Sequence, residues 1–378
     1  MNKILLFMLL SLSSIFFSSC HSDEPEPDTP QTAAKTIFVF MPYTGDMSPL
    51  YTNFLTNLDD MEAAINDNRG LGGDNLIVYI SKDARTSHLI KFNYSHGHCL
   101  RDTLKTYTTA GYTTTSGMTA ILNDMKQLAP ALTYATIVGS HGEGWLPKRN
   151  TTRFFGGDRY QMDVTDFAQS IHDAGLKMQF ILFDDCYMSG IEVAYDLRDC
   201  ADWLIASTSE MMDYGMPYRK ILKHLLPATP DYDTLCRDFI SFYNNYRMPY
   251  GTIAAVDLSH IGEMATLMHA INTAHTFDMS LIGDVQDLDA KHYTPTVYFD
   301  FGSYTRRLCG DDAAAMAQYE SLLGKLVPYK AATSYIYSYS GNATELVSEF
   351  SGLTVSDPSV NTVAADTKKQ TAWWQATH

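Results

Sequence analysis

Two stretches of the chain run from apolar residues into side chains that can do chemistry. In ATIVGSHGEGW, residues 135–145, His141 follows a run of small and branched residues and sits close to Gly139, Gly142 and Gly144. In MQFILFDDCYMSG, residues 178–190, the run ends in Asp184, Asp185 and Cys186. A thiol paired with an imidazole is the minimum equipment for acyl transfer: the base raises the thiolate fraction and the thiolate attacks a carbonyl. Gly142 and Gly144 let the backbone approach a substrate closely. The amides of Gly142 and Cys186 are candidate oxyanion donors, since glycine exposes its N–H and Cys186 is expected to open a helix. Taken singly, a histidine in a glycine-rich turn or a cysteine in a strand is an ordinary structural residue. Their matching placement past two apolar runs is what points to a shared site.

For these side chains to meet, the two runs must be neighbouring strands of one sheet. Short runs rich in Val, Ile and Phe alternate with longer amphipathic stretches, the signature of strands feeding helices in a mostly parallel sheet. Strands are expected at 36–43, 75–81, 135–140, 178–185, 203–208 and 252–258, and helices at 49–68, 117–128, 163–175, 190–199, 231–246 and 259–274. Continuous rather than alternating hydrophobicity implies cover on both faces, hence a three-layer α/β/α sandwich. In open sheets of this kind ligands sit at the carboxyl ends of the strands, which is where His141 and Cys186 fall. Strand alternation sends Asp184 and Cys186 to one side and Asp185 to the other. Beyond residue 285 the pattern loosens into Tyr-, Ser- and Thr-rich segments with one helix near 312–328. Residues 286–378 are read as a C-terminal extension packed on the main sheet.

The segments SHGEGWLP (140–147), ILFDDCYMSGIEVAYDLRDCADWLIASTSE (181–210) and DYGMPY (213–218) resemble the clostripain family of cysteine peptidases, within the caspase and gingipain superfold. A weaker likeness extends over most of residues 36–275. The resemblance implies a peptidase domain over 36–285 with a His141/Cys186 dyad. It also implies a specificity carboxylate two residues before the nucleophile, Asp184, and a second acidic contribution from Asp213 or Glu210. An acidic wall selects a cationic P1 residue, Arg above Lys where a bidentate pair is possible. No cofactor is required by this chemistry, though calcium assists some relatives. Relatives also mature by cleavage between the two catalytic residues. Here LPKRNTTRFFGGDRY (146–160), a polar segment with no apolar period, offers Lys148, Arg149 and Arg153 as points of self-cleavage.

The N-terminus reads as an export signal: one lysine, an apolar stretch from Ile4 to Phe17, then small residues up to Cys20. FFSSC resembles a lipobox, which makes residues 1–19 a signal peptide and Cys20 the lipidated first residue of an envelope or surface lipoprotein. Residues 20–35, acidic and proline-rich, form a tether. Removing the signal takes away Lys3 and shifts the formal charge from -16 to -17. Such a chain disfavours nucleic acid and anionic lipid, so membrane contact is expected through the lipid alone and the partners are peptides or proteins. The six cysteines contain no CxxC pair, and Cys99, Cys200, Cys236 and Cys309 are left without assigned partners. Two rival readings come from the same residues. YSHGHC (94–99) offers His96, His98 and Cys99 on one strand, which Asp184 or Asp185 would complete as a metal site. The other is a surface lipoprotein that keeps a peptidase fold and only binds peptide or glycan.

Overall fold

The computed structural model describes residues 31–46, 50–146, 155–157 and 160–378. The main sheet is built from β1 (Ala33–Met41), β2 (Asn75–Asp83), β3 (Thr86–Ser95), β4 (His98–Tyr107), β5 (Ala131–Gly139), β6 (Met178–Asp184), β7 (Ala201–Ala206), β8 (Thr252–Asp257) and β9 (Tyr329–Ala332). Their spatial order is β9-β8-β7-β6-β5-β1-β2-β3-β4. Strands β2, β1, β5, β6 and β7 run parallel through the centre. Antiparallel strands extend both edges.

Both faces are covered because both parities of each central strand are apolar. In β1, Phe38 and Phe40 enter one core, while Ile37, Val39 and Met41 enter the other. The second face is covered by α1 (Tyr51–Asn68), whose Phe54 and Leu58 point inward. The first face is covered by α2 (Thr115–Leu128), α3 (Val164–Asp173) and α4 (Ile191–Leu197). Helices α5 (Tyr218–Leu225) and α6 (Tyr232–Tyr243) join α1, whereas α7 (Ile261–Ala274) joins the opposite layer. Local chemistry sets the ends: the Asp231 side chain accepts the Thr234 N–H at the start of α6. After α3 the chain turns at Gly175, whose φ of 63° suits a residue without Cβ.

The C-terminal residues are built into the same body. Strand β9 pairs antiparallel with β8, from Thr252 opposite Ala332 to Ala255 opposite Tyr329. Before it lie α8 (Phe301–Cys309) and α9 (Ala313–Leu326), and after it a hairpin of β10 (Tyr335–Ser338) and β11 (Ala343–Leu346). The extension therefore contributes an edge strand as well as a covering layer.

The rival metal reading of YSHGHC is not supported by the fold. YSHGHC is not a single strand: Ser95 ends β3, His98 begins β4, and His96 and Gly97 form the turn with φ of 53° and 84°. Because β3 runs antiparallel to β2, this turn lies beyond the amino end of β2, at the opposite edge of the parallel core from His141 and Cys186. It is also separated from β6 by four strand spacings, about 19 Å. No metal site can be assembled from His96, His98 and Asp184 or Asp185. Among the described residues no helix is long and apolar enough to cross a membrane.

Candidate active site

The parallel pairing of β5 with β6 sets Gly139 opposite Asp184, so the chain leaves both strands side by side. Ser140 and His141 emerge from one, Asp185 and Cys186 from the other. One contact joins the two exits, and two more anchor the first of them to Gly156. The Ser140 N–H donates to Asp185 Oδ1 at 2.5 Å, and the Gly156 N–H donates to Ser140 Oγ at 2.6 Å and to the His141 carbonyl. Gly142 lies so close to the Asp185–Cys186 segment that an added Cβ would fall 2.5 Å from the Cys186 carbonyl oxygen. Trp145 closes this segment from behind, its Nε1–H donating to Ser356 Oγ at 2.8 Å.

Cys186 does not open a helix, contrary to the sequence expectation; α4 starts at Ile191 after Gly190. The turn that carries Cys186 is instead tied to the chain that follows β7, through Tyr187 N–H to the Ser209 carbonyl and Ser189 N–H to the Ser207 carbonyl. Tyr187 takes a φ of 60° there. A seven-residue helix beginning several residues on lends the Cys186 amide no dipole of its own. The half-buried thiol accepts the Met211 N–H at 3.2 Å. Burial, then the charges of Glu210, Glu143 and Asp185, pushes it well above its ordinary range, against the Met211 hydrogen bond.

Both side chains open into one cleft of about 580 Å³, which Gly142, Asp184, Glu210 and Asp213 also line. Asp184 is 8 % exposed. Its Oδ1 accepts the Met216 N–H and its Oδ2 the Tyr218 hydroxyl, each at 2.8 Å. Gly215, with φ of 72°, keeps the carboxylate open, because a Cβ there would lie 2.7 Å from both oxygens. Burial, opposed by those two hydrogen bonds, pushes Asp184 up to about 6. Asp185 is fully buried and turns to Ser140 rather than into the cleft. The alternation expected of the pair is what the structure shows.

The two remaining acidic candidates are differently employed. Asp213 is exposed on the cleft wall, where the Tyr246 hydroxyl donates to it at 3.0 Å and Arg247 pairs with it. Glu210 is not a bare wall: Oε1 takes bonds from His292 and Ser338, and Oε2 takes the Tyr339 N–H at 2.7 Å. Lys148, Arg149, Arg153 and Cys20 lie outside the described residues. Cys99, Cys186, Cys200, Cys236 and Cys309 are unpaired, and all but Cys186 are buried.

The model of the clostripain family, Peptidase_C11, matches residues 49–369. The chain belongs to the clostripain family. It is a cysteine peptidase of the same α/β architecture as solved members. A secreted C11 cysteine protease from Bacteroides thetaiotaomicron, "iotapain", is 41 % identical, with a TM-score of 0.86 over 92 % of this chain and all of that one. A clostripain from B. thetaiotaomicron ATCC 29148, solved with the peptide inhibitor BTN-VLTK-AOMK, is 47 % identical over 60 % of this chain and 99 % of that one, with a TM-score of 0.57. An inactive zymogen C11 protease from Parabacteroides distasonis is 25 % identical over 92 % of this chain and 99 % of that one, with a TM-score of 0.79. Comparison with curated proteins finds no match. In this clostripain-family chain no three His, Cys, Asp or Glu side chains gather to hold a metal ion such as calcium among the described residues.

Several cleft residues of this clostripain-family peptidase carry no signal in the sequence read alone. Glu143 is visible in GSHGEGW, but its partners Tyr293 and His292 come from 150 residues away. Arg247, Tyr337 and Tyr339 reach the cleft from a loop after α6 and from the β10–β11 hairpin. Long-range pairs of this kind leave no periodicity or spacing to read.

Proposed function

We propose that this chain is an endopeptidase cutting after lysine or arginine, with Cys186 as nucleophile, His141 as general base and then acid, and Asp184 as the partner of the P1 cation. The observation that carries the reading is the shared cleft: thiol, imidazole and an inward carboxylate left open by Gly215 line one space. The thiol is held neutral by its surroundings, so its proton passes to His141 as sulfur attacks the scissile carbonyl. The carbonyl electron pair moves to oxygen, and the Gly142 and Cys186 amides are the candidate donors to that oxyanion. As the C–N bond breaks, the imidazolium returns its proton to the departing amine. Water then adds to the thioester, giving its proton to His141 and releasing acid and thiol. Asp213 supplies a second carboxylate on the cleft wall, paired with Arg247.

Support for basic specificity comes from a relative as well. The peptide part of the inhibitor in the B. thetaiotaomicron clostripain reads VLTK, ending in lysine. The test is covalent labelling with peptides that carry a thiol-reactive warhead behind Lys or behind Leu. The lysine peptide is expected to modify Cys186 much faster, and equal rates would remove the role given to Asp184. Failure of both peptides to label Cys186 would favour a binding protein with a peptidase fold.

The same preference makes Lys148, Arg149 and Arg153 points at which the chain is cut by itself or by a second copy. At the N-terminus, Cys20 is proposed as the lipidated first residue of an exported protein; a relative is described as secreted. Two or more acyl chains give stable membrane retention. The mature protein is therefore expected in the membrane fraction and Cys20→Ser protein in the soluble one. A Cys20→Ser form that stays wholly with membranes would contradict the anchor.

A further inference from the structure

The C-terminal segment places a basic ring between two carboxylates at the rim of the cleft. His292 Nδ1 lies 3.0 Å from Glu210 Oε1, and Nε2 lies 3.5 Å from Glu143 Oε2. Glu143 follows His141 by two residues, and Glu210 follows β7, so the ring joins the segments flanking the dyad. Its face rests on Tyr187, the residue after the nucleophile, with ring centroids 5.0 Å apart. Ser340 Oγ stands 2.6 Å from Nδ1, and the Tyr293 hydroxyl bonds Glu143. The carboxylates occur where a developing thiolate is least helped by negative charge.

We propose that His292 is a positioning residue of the active site: bridging Glu143 and Glu210, it sets a positive charge between the two cleft carboxylates that act on Cys186. The proposal rests on Cys186 being the reactive thiol. Burial alone would lower the imidazole, but the two carboxylates raise it to about 10, so the ring stays cationic through neutral pH. Burial likewise raises Glu210, and His292 with the Tyr339 and Ser338 donors brings it below its ordinary range, so it stays anionic. The titratable groups facing this pair are Glu143, Glu210, Tyr187, Tyr293 and Cys186 itself. Asp289 also acts on Tyr187, and Asp185 on the thiol. His292 thus sets a positive charge between the side chains of Glu143 and Glu210, and its removal takes that charge away. The cation thereby limits how far the carboxylates can raise the thiol.

The experiment is the pH dependence of Cys186 alkylation by iodoacetamide in the full chain, with modification mapped by mass spectrometry. It is read beside kcat/KM and KM for a peptide. His292→Gln keeps a hydrogen-bonding side chain and removes the charge. Its alkylation midpoint is expected to rise by about one pH unit. At neutral pH kcat/KM should fall about tenfold, with KM within about threefold of wild type. Adding Glu143→Gln should return the midpoint at least half-way. If His292→Gln protein does not fold, Glu143→Gln alone, with the ring retained, is expected to lower the midpoint. A midpoint unmoved in His292→Gln, or in Glu143→Gln, overturns the proposal, as does a fall in kcat with the midpoint fixed, the mark of a purely structural ring. Alkylation needs no peptide. Absence of hydrolysis in every form would therefore count against the peptidase reading while the midpoints still judge His292.

Discussion

Cys186→Ala protein is expected to fold normally and to hydrolyse no peptide. The substitution removes one hydrogen-bond acceptor, that of the Met211 N–H, from a half-buried turn. This costs about 1 kcal/mol. The turn itself is held by backbone bonds from Tyr187 and Ser189 that alanine leaves in place. Turnover should fall at least about 10⁴-fold, the scale seen when a covalent nucleophile is deleted. His141→Ala should do nearly as much, because the bond from Gly156 reaches the His141 carbonyl and survives loss of the imidazole. Purified Cys186→Ala protein should also migrate as one chain on a denaturing gel, where wild type, if it cuts itself as proposed, is expected to give two fragments with a new N-terminus after Lys148, Arg149 or Arg153. Residual turnover above a few per cent would show that another group attacks the substrate. Identical fragments from both proteins would assign the cut to a foreign protease.

The second large effect is expected at Asp184. In Asp184→Asn the new amide would still accept the Met216 N–H through its carbonyl, and the Tyr218 hydroxyl can turn to accept from its NH₂, so the pocket is kept and the charge removed. Discrimination for Lys or Arg over a neutral P1 residue should fall by about 1.5–3 kcal/mol, roughly 10- to 150-fold in kcat/KM. Gly215→Ala should impair basic substrates as well, since the added methyl would lie against both carboxylate oxygens. The acid side of the pH profile carries a further signature. Asp184 has been pushed up to about 6 by burial, so its charge is present above that pH and lost below it. KM for a lysine substrate should therefore climb as pH drops through about 6, while KM for a neutral one does not. A peptide library cleaved equally after Leu and Lys by wild type would remove this account.

Much of the scaffold was readable because burial on both faces writes itself into composition. Runs such as FVFM in β1 and FILF in β6 cannot serve a one-sided sheet, and the helices between them carry their own stop signals, as at Gly175. The meeting of His141 and Cys186 in one cleft was readable for the same reason, since two parallel neighbours deliver their C-terminal residues to one place. The β3–β4 hairpin was missed because its outer strand is mostly exposed and charged. The short helix α5 was missed because no helix was expected between residues 199 and 231; it begins at Tyr218, the last residue of the family-like segment 213–218. Glu210 looked like a free wall because its partners, His292, Ser338 and Tyr339, lie more than eighty residues further on.

The adjacency of β5 and β6 bears on what a backbone break between them leaves behind. A cut within residues 147–154 puts β1 to β5 on one polypeptide and β6 to β9 on another. Their association then rests on the β5–β6 ladder and on contacts such as Lys35 Nζ with the carbonyls of Leu225, Leu226 and Pro227. Neither polypeptide has a complete core, and each would expose a bare central strand. Such a molecule is an obligate two-chain assembly, and its unfolding releases two particles instead of one. Its melting temperature then depends on protein concentration by mass action, while that of the intact chain does not. A dilute, once-separated pair regains the cleft at a rate set by encounter.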